Sequence, residues 1–339
     1  MLMVTHGETP AFARSEPDRS LVTRDTVSNP IPSNSVVASS SSRELHPIEG
    51  SPPAGLCPLP SDHWDLVIRP QAGWFDLHLA DLWRYRDLTM LFVWRDFVAQ
   101  YKQTILGPLW HLLQPLFTTL LFTVIFGRIA QLPTDGVPPM LFYMAGVTAW
   151  TYFAECLNRT STTFILNANV FGKVYFPRLC VPLSVVLSNL IKFAIQFALF
   201  LGFLAYFRLC GATVHPNAAI ALTPLLLALM AALGLGVGII VSALTTKYRD
   251  LQVLVAFGVQ LAMYATPVIY PMSIFPNAHR WMLLVNPMAP IIEAFRYGFL
   301  GEGLFRWGYL CMSAGIIGAI LFLGIVLFNR VERTFMDTV

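Results

Sequence analysis

From residue 109 onward, apolar residues run in six stretches of 109–128, 140–160, 181–205, 219–242, 252–270 and 309–328. Each is close to the roughly 20 residues that a helix needs to cross a bilayer core. Ahead of them, 76–103 has a helical period with two unlike faces. Leu91, Trp94, Phe97, Val98 and Tyr101 fall on one side, and Arg95, Ala99 and Lys102 on another. Aromatic rings mixed with cations suit a helix lying in the membrane interface; a solvated helix packed on a partner is the other reading. The first 60 residues show no sustained apolar period. They carry Ser39 to Ser42 in a row and prolines at Pro52, Pro53, Pro58 and Pro60. This composition predicts a disordered tail, and without a basic segment leading into an apolar run it does not read as a signal peptide.

The predicted fold class is an all-α membrane protein, with six transmembrane helices preceded by an amphipathic interface helix. The expected divisions are a tail at 1–60, an interface-helix region at 61–107, a six-span domain at 108–330 and a C-terminal tail at 331–339. Flanking cations set the orientation. Arg95 and Lys102 precede the first span, Arg159, Lys173 and Arg178 lie between the second and third, Lys247 and Arg249 between the fourth and fifth, and Arg330 and Arg333 follow the sixth. The short loops on the opposite side hold only Arg128 and Arg208. The positive-inside rule then places both termini in the cytoplasm. The connection at 271–308 is broken by Pro271, Pro276, Pro287 and Pro290, yet Ile291, Phe295 and Phe299 recur every four residues with Glu293 and Arg296 on another side. Short re-entrant helices and a loop resting on the surface both fit this pattern.

Composition agrees. Of 339 residues, 55% are hydrophobic and 12% charged, about half the charge of a typical soluble domain, and mean hydropathy is +0.60. A soluble globular enzyme is excluded. The net charge of +3 is too small to argue for nucleic acid. Cys57, Cys156, Cys180, Cys210 and Cys311 are widely spaced with no CxxC, which predicts neither a metal site nor a disulfide framework; a Cys210–Cys311 bridge on the outer side is the lesser alternative.

Motifs for chemistry are missing. Gly172-Lys173 is followed by Val174 rather than Ser or Thr, and Asn167 stands where a phosphate-binding loop would need its first glycine. The histidines form no HExxH. The outward carboxylates Asp135, Glu293 and Glu302 are not paired for acid–base work. Gly234, Gly236 and Gly238 read as a helix-packing face. Among ionisable residues in the spans, Lys192 lies roughly 18 Å into the third span, and Glu155 stands roughly 6 Å from Arg159 along the second. Lys192 and Glu155 are expected to differ too much in depth to pair, leaving Lys192 to snorkel outward or bond to Gln196. The loop 167–182 places Val170, Phe171, Val174, Tyr175 and Phe176 on the cytosolic side among Lys173 and Arg178. An apolar patch there predicts a docked partner, the alternative being a span end that frays into the interface.

Several segments in order resemble the permease subunit of polysaccharide-exporting ABC transporters, the family that exports O-antigen, capsular polysaccharide and teichoic acid. They are Tyr85-Arg86-Asp87-Leu88, Val93-Trp94-Arg95-Asp96-Phe97, Tyr101-Lys102-Gln103-Thr104, Leu106-Gly107-Pro108-Leu109-Trp110, Phe171-Gly172-Lys173-Val174-Tyr175-Phe176-Pro177-Arg178, Lys247-Tyr248-Arg249-Asp250-Leu251, Thr266-Pro267-Val268-Ile269-Tyr270-Pro271 and Asn286-Pro287-Met288-Ala289-Pro290. The resemblance covers about 64–335 and leaves the tail before Pro60 unexplained. It implies a non-catalytic homodimer of six-span subunits in the inner membrane. Each would be bound to a separate ATPase subunit that uses ATP and Mg, with no cofactor or metal on this chain.

It further implies an ATPase-coupling loop at Phe171, Lys173, Tyr175, Phe176 and Arg178. Arg95, Tyr101 and Lys102 would meet the diphosphate of a polyprenyl-linked glycan near the membrane interface. Sugar rings would slide over a channel lined by Trp110, Phe117, Phe122 and Phe126 of the first span and Phe257 and Tyr264 of the fifth. Tyr270, Ile291 and Phe295 would form an outer gate. An exporter of drugs or small lipids is the alternative of the same architecture. A membrane glycosyl- or acyltransferase is a third reading, for which clustered acids or a His-Asp pair are lacking.

Overall fold

The structure, a computed structural model, describes residues 83–335 apart from 103, 172–175, 246–247, 249 and 277–283; side chains at 168–171, 329 and 331–335 are also outside the description. The described residues form helices and turns, with no strand among them. In chain order the helices are α1 (Arg86–Tyr101), α2 (Trp110–Phe122), α3 (Pro139–Ser161), α4 (Thr163–Phe171), α5 (Cys180–Leu209), α6 (Thr223–Thr245), α7 (Leu251–Ala265), α8 (Met288–Leu300) and α9 (Trp307–Phe335). Four helical stretches are long and apolar enough to cross a membrane: Gly107–Ile129, Cys180–Leu209, Ala218–Thr245 and Trp307–Phe328. The first is built from a 3₁₀ turn, α2 and a π-helical end at Thr123–Ile129. The described residues are thus all-helical, with the composition of a multi-pass membrane protein.

Helix α3 has 23 residues, roughly 34 Å of rise, but it is more polar than those four. Its place explains how a bilayer protein carries it. From Leu141 to Ser161 most of its side chains are buried, and it packs against α2, α5, α6 and α8. Glycine makes the tightest of these contacts possible. A Cβ on Gly234 would stand 2.8 Å from Cys156 Cβ, and one on Gly238 would stand 2.6 Å from Thr160 Cβ. Gly236, on another side of α6, is equally close to the Leu321 backbone of α9. The glycine spacing is a packing face, as expected, and it serves two neighbours.

Thr162 interrupts the helix between α3 and α4 with a non-helical backbone. Hydroxyls absorb the groups this frees. Thr162 Oγ1 donates to the Arg159 carbonyl at 3.1 Å, Thr245 Oγ1 of α6 donates to the Ser161 carbonyl at 3.2 Å, and the Phe164 amide donates to Ser242 Oγ at 3.3 Å.

The connection between α7 and α9 does not rest on the surface. Helix α8 is buried almost throughout. Phe295 and Phe299 face α5, where Phe197 and Phe200 surround them at centroid distances of 5.4 to 6.1 Å, and the two rings lie 4.8 Å from each other; Ile291 is also buried on α8. Its opposite side carries Glu293 and Arg296, also buried. Gly301 ends α8 at φ +84, and a Cβ there would meet the His215 carbonyl at 2.6 Å, so both backbone and neighbour demand glycine.

The packing face makes a stability prediction. Gly238→Val drives a branched side chain into Thr160 and should lower stability by about 1–3 kcal/mol, read as thermal unfolding in detergent. Gly258→Ala, where a Cβ meets nothing within 4 Å, should be nearly neutral. Equal melting of the two variants would mean that α3 and α6 are not in contact at this point.

Candidate functional site: a polar cavity among the helices

Three helices carry polar residues at helical spacing. Helix α2 has His111, Gln114 and Thr118; α3 has Thr151, Glu155 and Arg159; α5 has Asn189, Lys192 and Gln196. Intervals of three and four put each set on one face. The three faces meet around a cavity of about 500 Å³, closed further by Gln100 of α1 and by Gln260, Met263 and Tyr264 of α7. Phe122, Trp150, Tyr152 and Phe193 provide its aromatic surface.

At its centre is an ion cluster that the expected depths had excluded. Lys192 Nζ lies 3.4 Å from Glu155 Oε2, and Arg159 Nε donates to the same oxygen at 3.1 Å. Side-chain lean explains the correction. The contacts Asn189–Cys156, Lys192–Glu155 and Phe193–Tyr152 run in opposite chain directions, so α3 and α5 are antiparallel. Every side chain leans toward its own helix N-terminus. Lys192 therefore reaches toward the Cys180 end of α5 while Glu155 reaches away from the Ser161 end of α3. In the register set by Asn189–Cys156 and Phe193–Tyr152, the two residues are offset by only about two positions, roughly 3 Å of rise, and the two long side chains lean across it. Lys192 is 7% exposed and sits on the back wall, whereas Glu155 and Arg159 are on the open side.

The wall is incompletely paired. Among the described residues, Asn189 Oδ1 and Gln196 Nε2 are buried without a hydrogen-bond partner. Gln100 Nε2 and His111 Nε2 are 3.1 Å apart, tying the end of α1 to α2.

The residues expected to meet diphosphate divide. Arg95 and Lys102 are exposed. Arg95 is engaged with Asp96 at 2.8 Å, with Asn167 of α4 at 3.4 Å and with the face of Phe92 at 4.8 Å. Tyr101 instead turns inward. Its ring meets Phe97 at 4.6 Å and His111 at 5.7 Å, and its buried hydroxyl has no partner among the described residues. Burial pushes this phenol above its ordinary pKa, with Arg159 acting the other way.

The six aromatics expected to line a channel also separate. Phe122 and Tyr264 line the cavity, and Phe126 stacks edge-on against Phe122 at 5.4 Å. Trp110, Phe117 and Phe257 are exposed on the outer faces of α2 and α7.

In the loop after α4, Lys173 and Tyr175 lie outside the described residues, as does the side chain of Phe171. Phe176 was expected on the cytosol-facing surface, and this is corrected: it is 5% exposed, with its ring 5.6 Å from Phe92 of α1. Apolar neighbours Phe164, Cys180, Val181, Ile239 and Phe328 complete its seat, and Arg178 is buried too, at 6%. A ring at a short loop's end finds more contacts beneath it than topology alone suggests.

The expected gate residues Ile291 and Phe295 are core residues of α8, and the Tyr270 hydroxyl donates to the Ala265 carbonyl at 3.2 Å. The turn at 266–272 is held from below. Arg296 Nη1 donates to the Pro267 carbonyl at 2.7 Å, Nη2 donates to the Val268 carbonyl, and the guanidinium lies 3.7 Å from the Phe142 ring centre. Glu293 sits 3.6 Å from Arg296 and accepts from the amides of Met272 at 3.0 Å and Leu304 at 3.3 Å.

With this geometry in view, comparison with known proteins is informative. A family model described as ABC-2 type transporter matches residues 87–300. The O-antigen export system permease protein RfbA of Klebsiella pneumoniae is 27% identical over 253 residues, 74% of this chain and 94% of that protein. RfbA of Myxococcus xanthus is 26% identical over 77% of this chain and 98% of its own length. The polysialic acid transport protein KpsM of Escherichia coli is 22% identical, over 72% and 93% respectively.

The buried pair in α8 can be tested by a double-mutant cycle. Glu293→Ala strands the Arg296 guanidinium and should cost about 3–5 kcal/mol, measured by unfolding in detergent. Adding Arg296→Met should recover part of that loss. Strictly additive losses would mean that the two side chains do not interact.

Proposed function

Because the chain belongs to the ABC-2 type transporter family of membrane proteins, we propose that it is the permease subunit of an ATP-driven polysaccharide exporter. Its cargo on this reading is a lipid-linked glycan of O-antigen or capsular type, moved from the cytoplasm across the inner membrane. One observation carries the choice of cargo: the helices enclose a cavity walled by amides, hydroxyls, ions and aromatic rings. Such a surface exchanges hydrogen bonds with sugar hydroxyls and stacks on their apolar faces. A cavity for drugs or small lipids would be predominantly apolar, which sets that alternative second. The names of the relatives, O-antigen export and polysialic acid transport, support the same class.

The proposed assembly is a homodimer of six-span subunits, with α3 and α7 as the second and fifth spans and both termini cytoplasmic. Helix α1 lies in the membrane interface. Its outward face of Met90, Leu91, Trp94 and Val98 is exposed and apolar, as is Trp83 just before it, which supports that placement. Helix α8 and the turn before it are the re-entrant outer gate. ATP and Mg act in a separate ATPase subunit docked on the loop of Phe171, Lys173, Tyr175, Phe176 and Arg178. Phe176 anchors that loop on α1, so a push on the loop is delivered to α1. Arg95 and Lys102 meet the diphosphate at the interface, and Tyr101 sits between this surface and the cavity. Trp110, Phe117 and Phe257 line the translocation path along the exposed faces of α2 and α7.

Deleting the gene should abolish surface polysaccharide and accumulate lipid-linked glycan on the cytoplasmic side, measured by extraction of inner-membrane lipids. Unchanged surface polysaccharide would sink the export reading. For coupling, Lys173→Glu combined with Tyr175→Ala should strip a co-purifying ATPase from the chain and stop export while leaving its membrane insertion intact. Retention of both would place the ATPase contact elsewhere.

A further inference from the structure

We propose that the cavity is a subsite for an anionic group on the transported molecule, a carboxylate or a phosphate, held by Lys192 and Arg159. This rests on the export reading and names the chemistry that the cavity selects.

Charge is the first argument. Lys192 and Arg159 share one carboxylate oxygen, Glu155 Oε2, at 3.4 and 3.1 Å. Glu155 is the sole acidic residue among the described residues lining the cavity, so Lys192, Arg159 and this one carboxylate together keep a net positive charge. In a bundle that spans lipid, such a charge is expensive and is retained where something anionic meets it. One carboxylate occupies only part of what two cations offer. An ammonium has three donors and a guanidinium five.

Unused hydrogen-bonding groups are the second argument. Gln196 Nε2 and Asn189 Oδ1 are buried against the cavity and have no partner among the described residues. They stand on the same face of α5 as Lys192, one turn to either side, and offer a donor and an acceptor beside the cation. Buried polar groups are normally satisfied, and a turn of either side chain toward the cavity that its residue lines would let a polyhydroxylated ligand bearing an anion satisfy it. The aromatic surface of Trp150 and Phe193 lies on the same cavity. At about 500 Å³ the space suits a small-molecule unit, so it holds one segment of a chain and not the chain's whole width.

Glu155 is then a competitor as well as a counter-ion. It occupies the cations when no anion is present and yields them when one arrives. Removing it should strengthen binding, an outcome that a misfolded variant cannot mimic.

The test is calorimetric titration of the full-length chain in lipid nanodiscs with three probes: a glucuronate-containing tetrasaccharide, a neutral tetrasaccharide of equal ring number, and inorganic diphosphate. At least one anionic probe should bind about tenfold more tightly than the neutral one. Lys192→Met should remove about that factor, Lys192→Arg should keep it, and Glu155→Gln should improve affinity several-fold. Binding of the acidic saccharide alone assigns the charge to the glycan, and binding of diphosphate alone assigns it to the lipid anchor; either supports the subsite. Equal affinity for the neutral probe, an unaltered Lys192→Met, or weaker binding by Glu155→Gln would overturn it. Gene deletion separates this from the broader reading. If deletion leaves surface polysaccharide in place, export itself is wrong; if deletion abolishes it and a Lys192→Met chain with unchanged binding restores it, only the subsite falls.

Discussion

A helix that is too polar for lipid organises this molecule. Helix α3 carries Thr148, Thr151, Glu155, Asn158, Arg159 and Thr160, and hydrocarbon offers no partner for any of them. It therefore has to be enclosed by protein. The glycines of α6 bring one neighbour into backbone contact along it, α5 supplies Lys192 and Asn189, and α8 covers it from the opposite end with Arg296 over Phe142. The more apolar helices α5, α6 and α9 can meet lipid because α3 does not. Where enclosure is incomplete, between α2 and α7, the cavity remains.

Two ion clusters in the bundle show how satisfaction separates support from function. Around Glu293 and Arg296, backbone amides and carbonyls engage both side chains, an aromatic face covers the guanidinium, and both residues are about 1% exposed. Only the Arg296 Nε is left over. This cluster holds a turn and has no capacity to bind anything else. The Lys192–Glu155–Arg159 cluster is the reverse. It opens on a cavity, carries an odd charge and stands beside two orphaned amide atoms. A network closed on itself rigidifies, while one left open keeps interaction energy available to a ligand.

Much of the helix layout was legible from periodicity. The apolar stretches appear in the structure as helices near their expected positions, four of them long and apolar enough to cross a membrane, and 288–300 has its two faces, because hydrophobic period reports burial directly; Pro290, expected as a break, instead sits within the first turn of α8. Pairings across helices were less legible. Counting residues from the expected span ends put Lys192 and Glu155 out of reach, since it fixes neither the register in which α3 and α5 pack nor the opposite lean of side chains on antiparallel helices. The polar faces of α2, α3 and α5 could have been found by the same three- and four-residue spacing that located the apolar ones. They are less conspicuous because glutamines, asparagines and threonines do not stand out in an apolar span as single charges do. Phe176 was misplaced for another reason. Topology assigns a loop to one side of a membrane but does not say whether a given ring on that side lies on the surface or under it.

The position of Phe176 has a mechanical consequence on the export reading. Its seat includes Phe92 of α1 at 5.6 Å. Eight residues further along the same helix, roughly 12 Å of rise, Gln100 meets His111 on the cavity wall and Tyr101 meets that imidazole edge-on. Arg95, between them, reaches Asn167 of α4. One rigid element thus touches the loop at one end and the cavity at the other. On that reading a partner that displaces the loop would press Phe176 against Phe92, and a shift of α1 as a body would disturb the contact of Gln100 with His111. A deformable linker would dissipate such a push, whereas a helix packed at both ends converts it into a change at the cavity wall, where Tyr101 and the Glu155–Arg159 pair already interact. Energy released in a soluble partner would reach the substrate through α1.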